Sequence, residues 1–245
     1  MNTLRPWHSK TIDDCGECLL ALPNNFLKIL PHPYLSLGAP YKSKNSPWFL
    51  REDVLRRLQL SQKYLGEIYP SYSLIIFDAW RPVLVQEFMI EYEVRRICNQ
   101  RNIDCLSNKS EALRKIKSEV SRFWAAPSKD PMKPPPHSTG AAIDLTFIDS
   151  NGIRVNMGGQ IDEIGSCSRP DFYSHKSKLQ PIEKEFAFRR NLLKKVMQYS
   201  GFVQHPMEWW HYSYGDQMWA WTMKTSKAIY GSVEPSSCKT DSSPI

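Results

Sequence analysis

Four side chains in two short stretches could do chemistry together. His137 and Asp144 bracket the run His-Ser-Thr-Gly-Ala-Ala-Ile-Asp, and Glu208 and His211 lie in Glu-Trp-Trp-His-Tyr. Two imidazoles and two carboxylates suit a metal with an open coordination position. The spacing predicts that His137, Asp144 and His211 hold one Zn²⁺ and that Glu208 works on water at the open position. Three protein ligands and a vacancy mark a hydrolytic zinc rather than a structural one.

The elements that must position these groups are legible nearby. Residues 141–148 are small, β-branched and apolar, which predicts a buried strand. Alternation turns Ile143, Leu145 and Phe147 to one face and Ala142, Asp144 and Thr146 to the other. Asp144 is the only charge between His137 and Phe147. A lone carboxylate inside such a strand is costly unless it is paired or binds metal. Pro134, Pro135 and Pro136 give a stiff lead-in to His137, and Gly140 permits a tight turn before the strand. Glu208 and His211 are three apart, on opposite faces of an ideal strand. Both reach one metal only if the chain bends near Glu208, and Pro206 makes that irregularity plausible.

The remaining chain supplies a frame. Helices are expected over 52–68, 83–99, 108–124 and 181–199, the third with a capping box of Asn108 and Glu111. Strands are expected at 19–22, 73–77, 202–204 and 209–214. Asn151-Gly152 is a hairpin signal joining the Asp144 strand to an antiparallel strand at 153–157. Residues 217–223 are expected to form a further strand or covering segment, after a long loop from 158 to 180. Together these predict an α+β fold whose central antiparallel sheet carries the metal site between flanking helices. Residues 1–50 should wrap the core as loop and short strands, with Tyr34, Tyr41 and Trp48 expected in packing roles although they could line a pocket. Ser, Pro and Lys after position 231 predict a disordered tail.

Arg81 ends the 73–77 strand segment and precedes Pro82, which suits a first helical turn. Position alone leaves two readings open: a guanidinium that stabilises an oxyanion, or an Arg81–Asp78 surface ion pair. Asp162 and Glu163 could bind a cationic group or form a solvated acidic loop. Cys15 and Cys18 form a C-x-x-C pair without a second pair or a βαβ context, and are expected to be small loop residues. His8, His32, His175 and His205 have no partner at ligand spacing and are expected to be hydrogen-bonded loop histidines.

Composition narrows the class. The chain has 245 residues, 23% charged and 41% hydrophobic, with a formal charge of +7, as in an ordinary globular protein. Its Lys and Arg are scattered and no basic repeat carries stacking aromatics, so nucleic-acid binding is not expected. No apolar run of about 18 residues is present, so no membrane span is expected. Residues 1–12 lack the pattern of a signal peptide, which points to a cytoplasmic location.

Three motifs in consistent order, D-A-W-R-P, H-S-T-G-A-A-I-D and E-W-W-H-Y, resemble the zinc D-alanyl-D-alanine dipeptidases, the VanX-like branch of the DD-peptidase and hedgehog-type metallopeptidases. The likeness runs from about Pro31 to Trp221. It implies one zinc peptidase domain over residues 1–230, one Zn²⁺ on His137, Asp144 and His211, and Glu208 as catalytic base. It implies Arg81 as the group that steadies the tetrahedral intermediate. By a looser match it implies Asp162 as the acid that binds the substrate's free ammonium. The implied reaction is hydrolysis of the small dipeptide D-Ala-D-Ala to two D-alanines. A zinc DD-carboxypeptidase acting on longer peptidoglycan peptides and a non-catalytic zinc- or peptidoglycan-binding module are the alternatives. Two residues depart from the family pattern: Pro135 stands where members carry Ser, and Trp80 where they often carry Tyr.

Overall fold

The computed structural model describes residues 5–41, 47–105, 110–174 and 178–235. In chain order the elements are β1 (Thr11–Ile12), β2 (Leu19–Ala21), β3 (Leu27–Lys28), α1 (Pro33–Ser36), β4 (Phe49–Arg51), α2 (Glu52–Ile68), β5 (Tyr72–Asp78), α3 (Val83–Gln100) and α4 (Glu111–Phe123). They continue with β6 (Ala142–Asp149), α5 (Pro181–Tyr199), β7 (Val203–Gln204), β8 (His211–Ser213), α6 (Gln217–Thr222) and β9 (Lys227–Ala228).

The fold is α+β, as expected. Its main sheet has five strands in the order β3-β5-β6-β8-β7. The pairs β5–β6, β6–β8 and β7–β8 are antiparallel, and β3 adds to the edge of β5 in parallel. Two-stranded sheets pair β1 with β9 and β2 with β4.

Period-two alternation decides which face is which. Leu74, Ile76, Ile143, Leu145 and Phe147 join one buried cluster with Val54, Leu55 and Leu58 of α2 and Leu193, Val196 and Met197 of α5. Each such side chain removed from water contributes roughly 1.5–3 kcal/mol. A second cluster unites Phe77 with Val85, Met89 and Ile97 of α3 and Leu113, Ile116 and Val120 of α4. The alternate β6 residues, Asp144 among them, turn away from the α2–α5 face.

Helix ends follow local chemistry. Glu52 and Asp53 sit in the first turn of α2, where the positive end of the helix dipole favours acids. At α5 the Glu183 carboxylate accepts the Gln180 N–H at 3.0 Å. The hydroxyl of Ser110 caps α4, accepting from the Leu113 N–H. The expected cap residue Asn108 lies outside the described residues.

Three expectations need correction. Residues 217–222 form a helix, not a strand, because the Asp216 carboxylate accepts the Trp219 N–H at 2.8 Å and nucleates a turn. The hairpin at Asn151-Gly152 closes, but residues 153–157 make only an isolated bridge, Ile148 with Arg154, and no strand. The side chain of Asn156 then captures the Gly158 N–H and turns the chain away. Residues 231–235, expected as tail, run back over the sheet: the Val233 N–H donates to Ser138 O, and the Trp80 indole donates to Val233 O at 2.9 Å. Positions 236–245 lie outside the described residues. Cys15 is an exposed free thiol whereas Cys18 is disulfide-bonded, so the two are not bridged to each other and the expectation of two plain loop residues fails for Cys18.

Candidate active site

Register across the sheet builds the site. Asp78 of β5 faces Asp144 of β6, beyond a register shift after Ile76, and Asp144 faces His211 of β8. Three polar side chains therefore stand in one row on adjacent strands. His137 arrives from a single 3₁₀ turn over Pro136–Thr139, closed by Gly140 in the left-handed region at φ 70°. A Cβ on Gly140 would lie 2.3 Å from a methyl of Leu19, so this corner requires glycine. The buried Arg51 guanidinium ties the corner down by donating to Thr139 O at 2.9 Å. The Arg81 N–H donates to His137 O at 3.2 Å, which fastens the D-A-W-R-P segment to the histidine turn.

His137, Asp144 and His211 converge. His137 Nε2 lies 3.1 Å from His211 Nδ1 and 3.2 Å from Asp144 Oδ2, and His211 Nδ1 lies 3.0 Å from Asp144 Oδ1. One ligand atom from each fits within 4.8 Å of the others, and all three residues are buried. His137 Nδ1 sits 2.6 Å from the Ala79 carbonyl, to which it can only donate. That bond puts the proton on Nδ1 and leaves the Nε2 lone pair facing the cluster. His211 turns Nδ1 inward, and its Nε2 is buried without a hydrogen-bond partner among the described residues. Burial pushes the Asp144 carboxyl up, but the two imidazoles outweigh it and hold it well below the usual range. Two nitrogens and one ionised oxygen within ligand reach of a common point fit a divalent cation of the zinc type.

The other expected residues surround this cluster. Glu208 projects from the turn between β7 and β8, where its N–H reaches His205 O. Its two carboxylate oxygens lie 3.8 Å from His205 Nδ1 and 3.9 Å from His211 Nδ1. The bend anticipated at Pro206 is this turn. Burial, helped by the charge of Asp144, raises the Glu208 carboxyl to about 7. Arg81 is buried and fully engaged. It donates to Asp78 at 2.8 Å, Gln86 at 2.8 Å, the Tyr34 hydroxyl at 3.0 Å and Asp144 at 3.3 Å. The Arg81–Asp78 ion pair exists, yet it is buried beside the cluster rather than at the surface. Asp162 reaches the same pocket with its backbone at φ 65°, and accepts from the Tyr34 hydroxyl at 2.7 Å. Burial and the nearby Asp144 raise its carboxyl to about 8.

Three groups went unassigned from sequence alone. Tyr34, expected as packing, bridges Arg81 and Asp162. His32, expected in a loop, is buried and donates from Nε2 to Asp78 at 3.0 Å while its Nδ1 accepts the Leu35 N–H. His205 lines the pocket beside Glu208, and burial holds its imidazole well below the ordinary value, hence neutral. The one available signal was its position, three residues before Glu208. No helix among the described residues is long and apolar enough to cross a membrane.

Known proteins resemble this chain in sequence over most of its length. The model of the peptidase family described as D-ala-D-ala dipeptidase matches residues 30–229. A D-alanyl-D-alanine dipeptidase of Synechocystis sp. is 39% identical over 242 residues, covering 94% of this chain and 98% of that protein. One of Enterococcus faecalis is 27% identical over 165 residues, covering 67% of this chain and 70% of that protein. Among solved structures, VanYB in complex with D-Alanine-D-Alanine is 13% identical with a TM-score of 0.42, covering 83% of this chain and 88% of that one.

Proposed function

The chain belongs to the peptidase family described as D-ala-D-ala dipeptidase, and from that premise we propose that it hydrolyses D-Ala-D-Ala to two D-alanines using one Zn²⁺ held by His137, Asp144 and His211. The observation that carries this reading is the convergence of those three buried ligand atoms with the Glu208 carboxylate 3.9 Å from His211 Nδ1. When bound, zinc supplies Lewis acidity, polarising a carbonyl and making water more acidic.

The protein's own groups account for the rest. Glu208 accepts a proton from the water that attacks the scissile carbonyl. It returns that proton to the leaving nitrogen as the C–N bond breaks, so a single group serves as base and then acid. A carboxyl near 7 suits both halves at neutral pH. Arg81, fixed by Asp78 and Gln86, supports the negative charge that builds on the carbonyl oxygen. Asp162 pairs with the substrate ammonium. An incoming cation favours the ionised form of this carboxyl, so substrate binding and proton release are coupled there.

A carboxylate in the pocket that needs a cation favours a free amino terminus, and so a dipeptide over a longer cell-wall peptide. The role is processing of a small D-amino-acid dipeptide. The test is D-alanine release from D-Ala-D-Ala and from a pentapeptide ending in it, before and after chelation, with metal content measured alongside. Release from the dipeptide that stops on chelation and returns with zinc is the expected result. Release from the pentapeptide alone, or unchanged activity in a metal-free protein, overturns it.

A further inference from the structure

The pocket has a second cationic end that the catalytic reading does not use. Arg5, His8 and Lys133 line the same pocket as Glu208, His211 and Asp162. Arg5 precedes the matched family segment by 25 positions (30 minus 5) and enters the site from the amino-terminal turn Pro6–Ser9.

That turn is firmly seated. Trp7 is buried, edge-on to His205 at 5.6 Å between ring centres. Just beyond it, Gln217 donates to Lys10 O at 2.6 Å, and β1 pairs with β9. Arg5 is oriented by main-chain carbonyls, donating from Nη2 to Arg122 O at 2.9 Å and Ser121 O at 3.3 Å.

The two arginines of the pocket differ in how their charge is balanced. Arg81 gives its donors to Asp78, Asp144, Gln86 and Tyr34. Arg5 forms no ion pair among the described residues, and its bonds to neutral carbonyls leave its charge uncompensated. Burial lowers its proton affinity, while Glu208 is close enough to raise it again. His8 adds a second open group: its Nδ1 is buried without a hydrogen-bond partner among the described residues. A half-buried guanidinium without an ion pair, beside an unsatisfied imidazole nitrogen, suits an anion with more than one acceptor oxygen.

We infer that Arg5, with His8 beside it, is the subsite for the substrate's terminal carboxylate, in the same pocket as the Asp162 that takes the ammonium. This inference rests on the dipeptide reading of the site. It explains how the chain would select for length: each end of a zwitterion meets a group that pairs with it, and a residue added at either end would remove one of the two pairings. Arg5 is thus a specificity determinant contributed by a segment outside the family match.

The test is calorimetric binding to zinc-loaded protein carrying Glu208→Gln, which separates binding from turnover. The probes are D-Ala-D-Ala and its carboxy-terminal amide. The dipeptide should bind at least about 10-fold more tightly than the amide, as a charge-assisted bond implies. Adding Arg5→Ala should weaken dipeptide binding about 10- to 100-fold and leave the amide within about twofold, with partial recovery in Arg5→Lys. Equal weakening of both probes would mean that Arg5 only holds the pocket together, and it overturns the inference. So does an unchanged preference for the carboxylate, or no preference before Arg5 is altered. If Arg5-dependent carboxylate preference appears but the unaltered protein releases no D-alanine, the subsite stands and the hydrolytic reading alone fails.

Discussion

Replacing Glu208 with Gln isolates its proton-transfer role because the amide keeps shape and removes both charge and basicity. Glu208 stands outside the cluster of three ligand atoms, which His137, Asp144 and His211 complete without it. Zinc content should therefore remain one per chain. A positioned base contributes about 10²- to 10⁴-fold, or roughly 3–5 kcal/mol of barrier at 1.36 kcal/mol per decade. D-alanine release should fall by that factor in kcat, with KM within about threefold. The pH profile gives a second reading. The active form is the carboxylate, and burial raises this carboxyl to about 7. In the wild type kcat/KM should rise with pH through 7, or somewhat below it once a cation sits nearby, and the residual rate of the Gln variant should lack that limb. Folding should not suffer, since an amide replaces a carboxylate that burial already disfavours. If zinc-loaded Glu208→Gln keeps its rate within tenfold, the assignment of the base is wrong. If the variant loses zinc, Glu208 is a ligand and the three-ligand cluster is misread.

Three further predictions rest on separate contacts. His137→Ala should reduce bound zinc to well below 0.1 per chain by elemental analysis while circular dichroism stays native, because zinc needs its third protein ligand. Asp162→Asn should raise KM for D-Ala-D-Ala about 10- to 100-fold with little change in kcat. The same change tests a linkage: the folded protein holds the Asp162 proton up to about pH 8, whereas an unfolded carboxyl releases it near 4. Stability from this group is full below about pH 4 and is lost as pH rises through about 8. Metal-free Asp162→Asn should therefore gain on the wild type in Tm between pH 6 and 9, and parallel melting curves across that range would refute the shift. Gly140→Ala must hold φ at 70° and displace Leu19, costing about 2–4 kcal/mol and lowering Tm by roughly 5–15 °C in calorimetry.

What made the site legible was the cost of burying polar groups. Asp144 stood as a lone charge in an apolar strand, and such a residue needs a partner wherever the strand packs. His137 and His211 were marked instead by residue type and spacing, and Arg81 by its place between a strand and Pro82. Alternation gave β6 its two faces correctly, and the 3.6-residue period gave the long helices. The errors came from elements too short for periodicity to speak. Residues 217–223 hold Trp, Ala and Met in a pattern that suits strand or helix, and only the Asp216 cap decides for helix. Residues 153–157 alternate as a strand should, but Asn156 offers its own side chain to Gly158 and ends the pairing. Tyr34 and His32 carried no local signal, because their partners Asp162 and Asp78 meet them only through tertiary contact, and His205 offered only its spacing to Glu208 across a turn.

The buried charges also explain why the arrangement holds together before any cation arrives. Asp78 and Asp144 lie on neighbouring strands, and two carboxylates so placed would repel. Arg81 reaches both, and His32 donates to Asp78 from the other side. Burial pushes the Asp78 carboxyl up, yet Arg81 and His32 outweigh it and keep it ionised. Asp78 in turn neutralises an arginine that would otherwise compete with a metal for Asp144. The Asp144 oxygens are therefore shared: Oδ1 faces His211, and Oδ2 faces His137 and, more distantly at 3.3 Å, Arg81. A cation that enters between the imidazoles needs only to draw Asp144 away from its weakest partner. Asp78 thus holds Arg81 and lies 3.7 Å from His137 Nδ1, although its own side chain does not line the pocket.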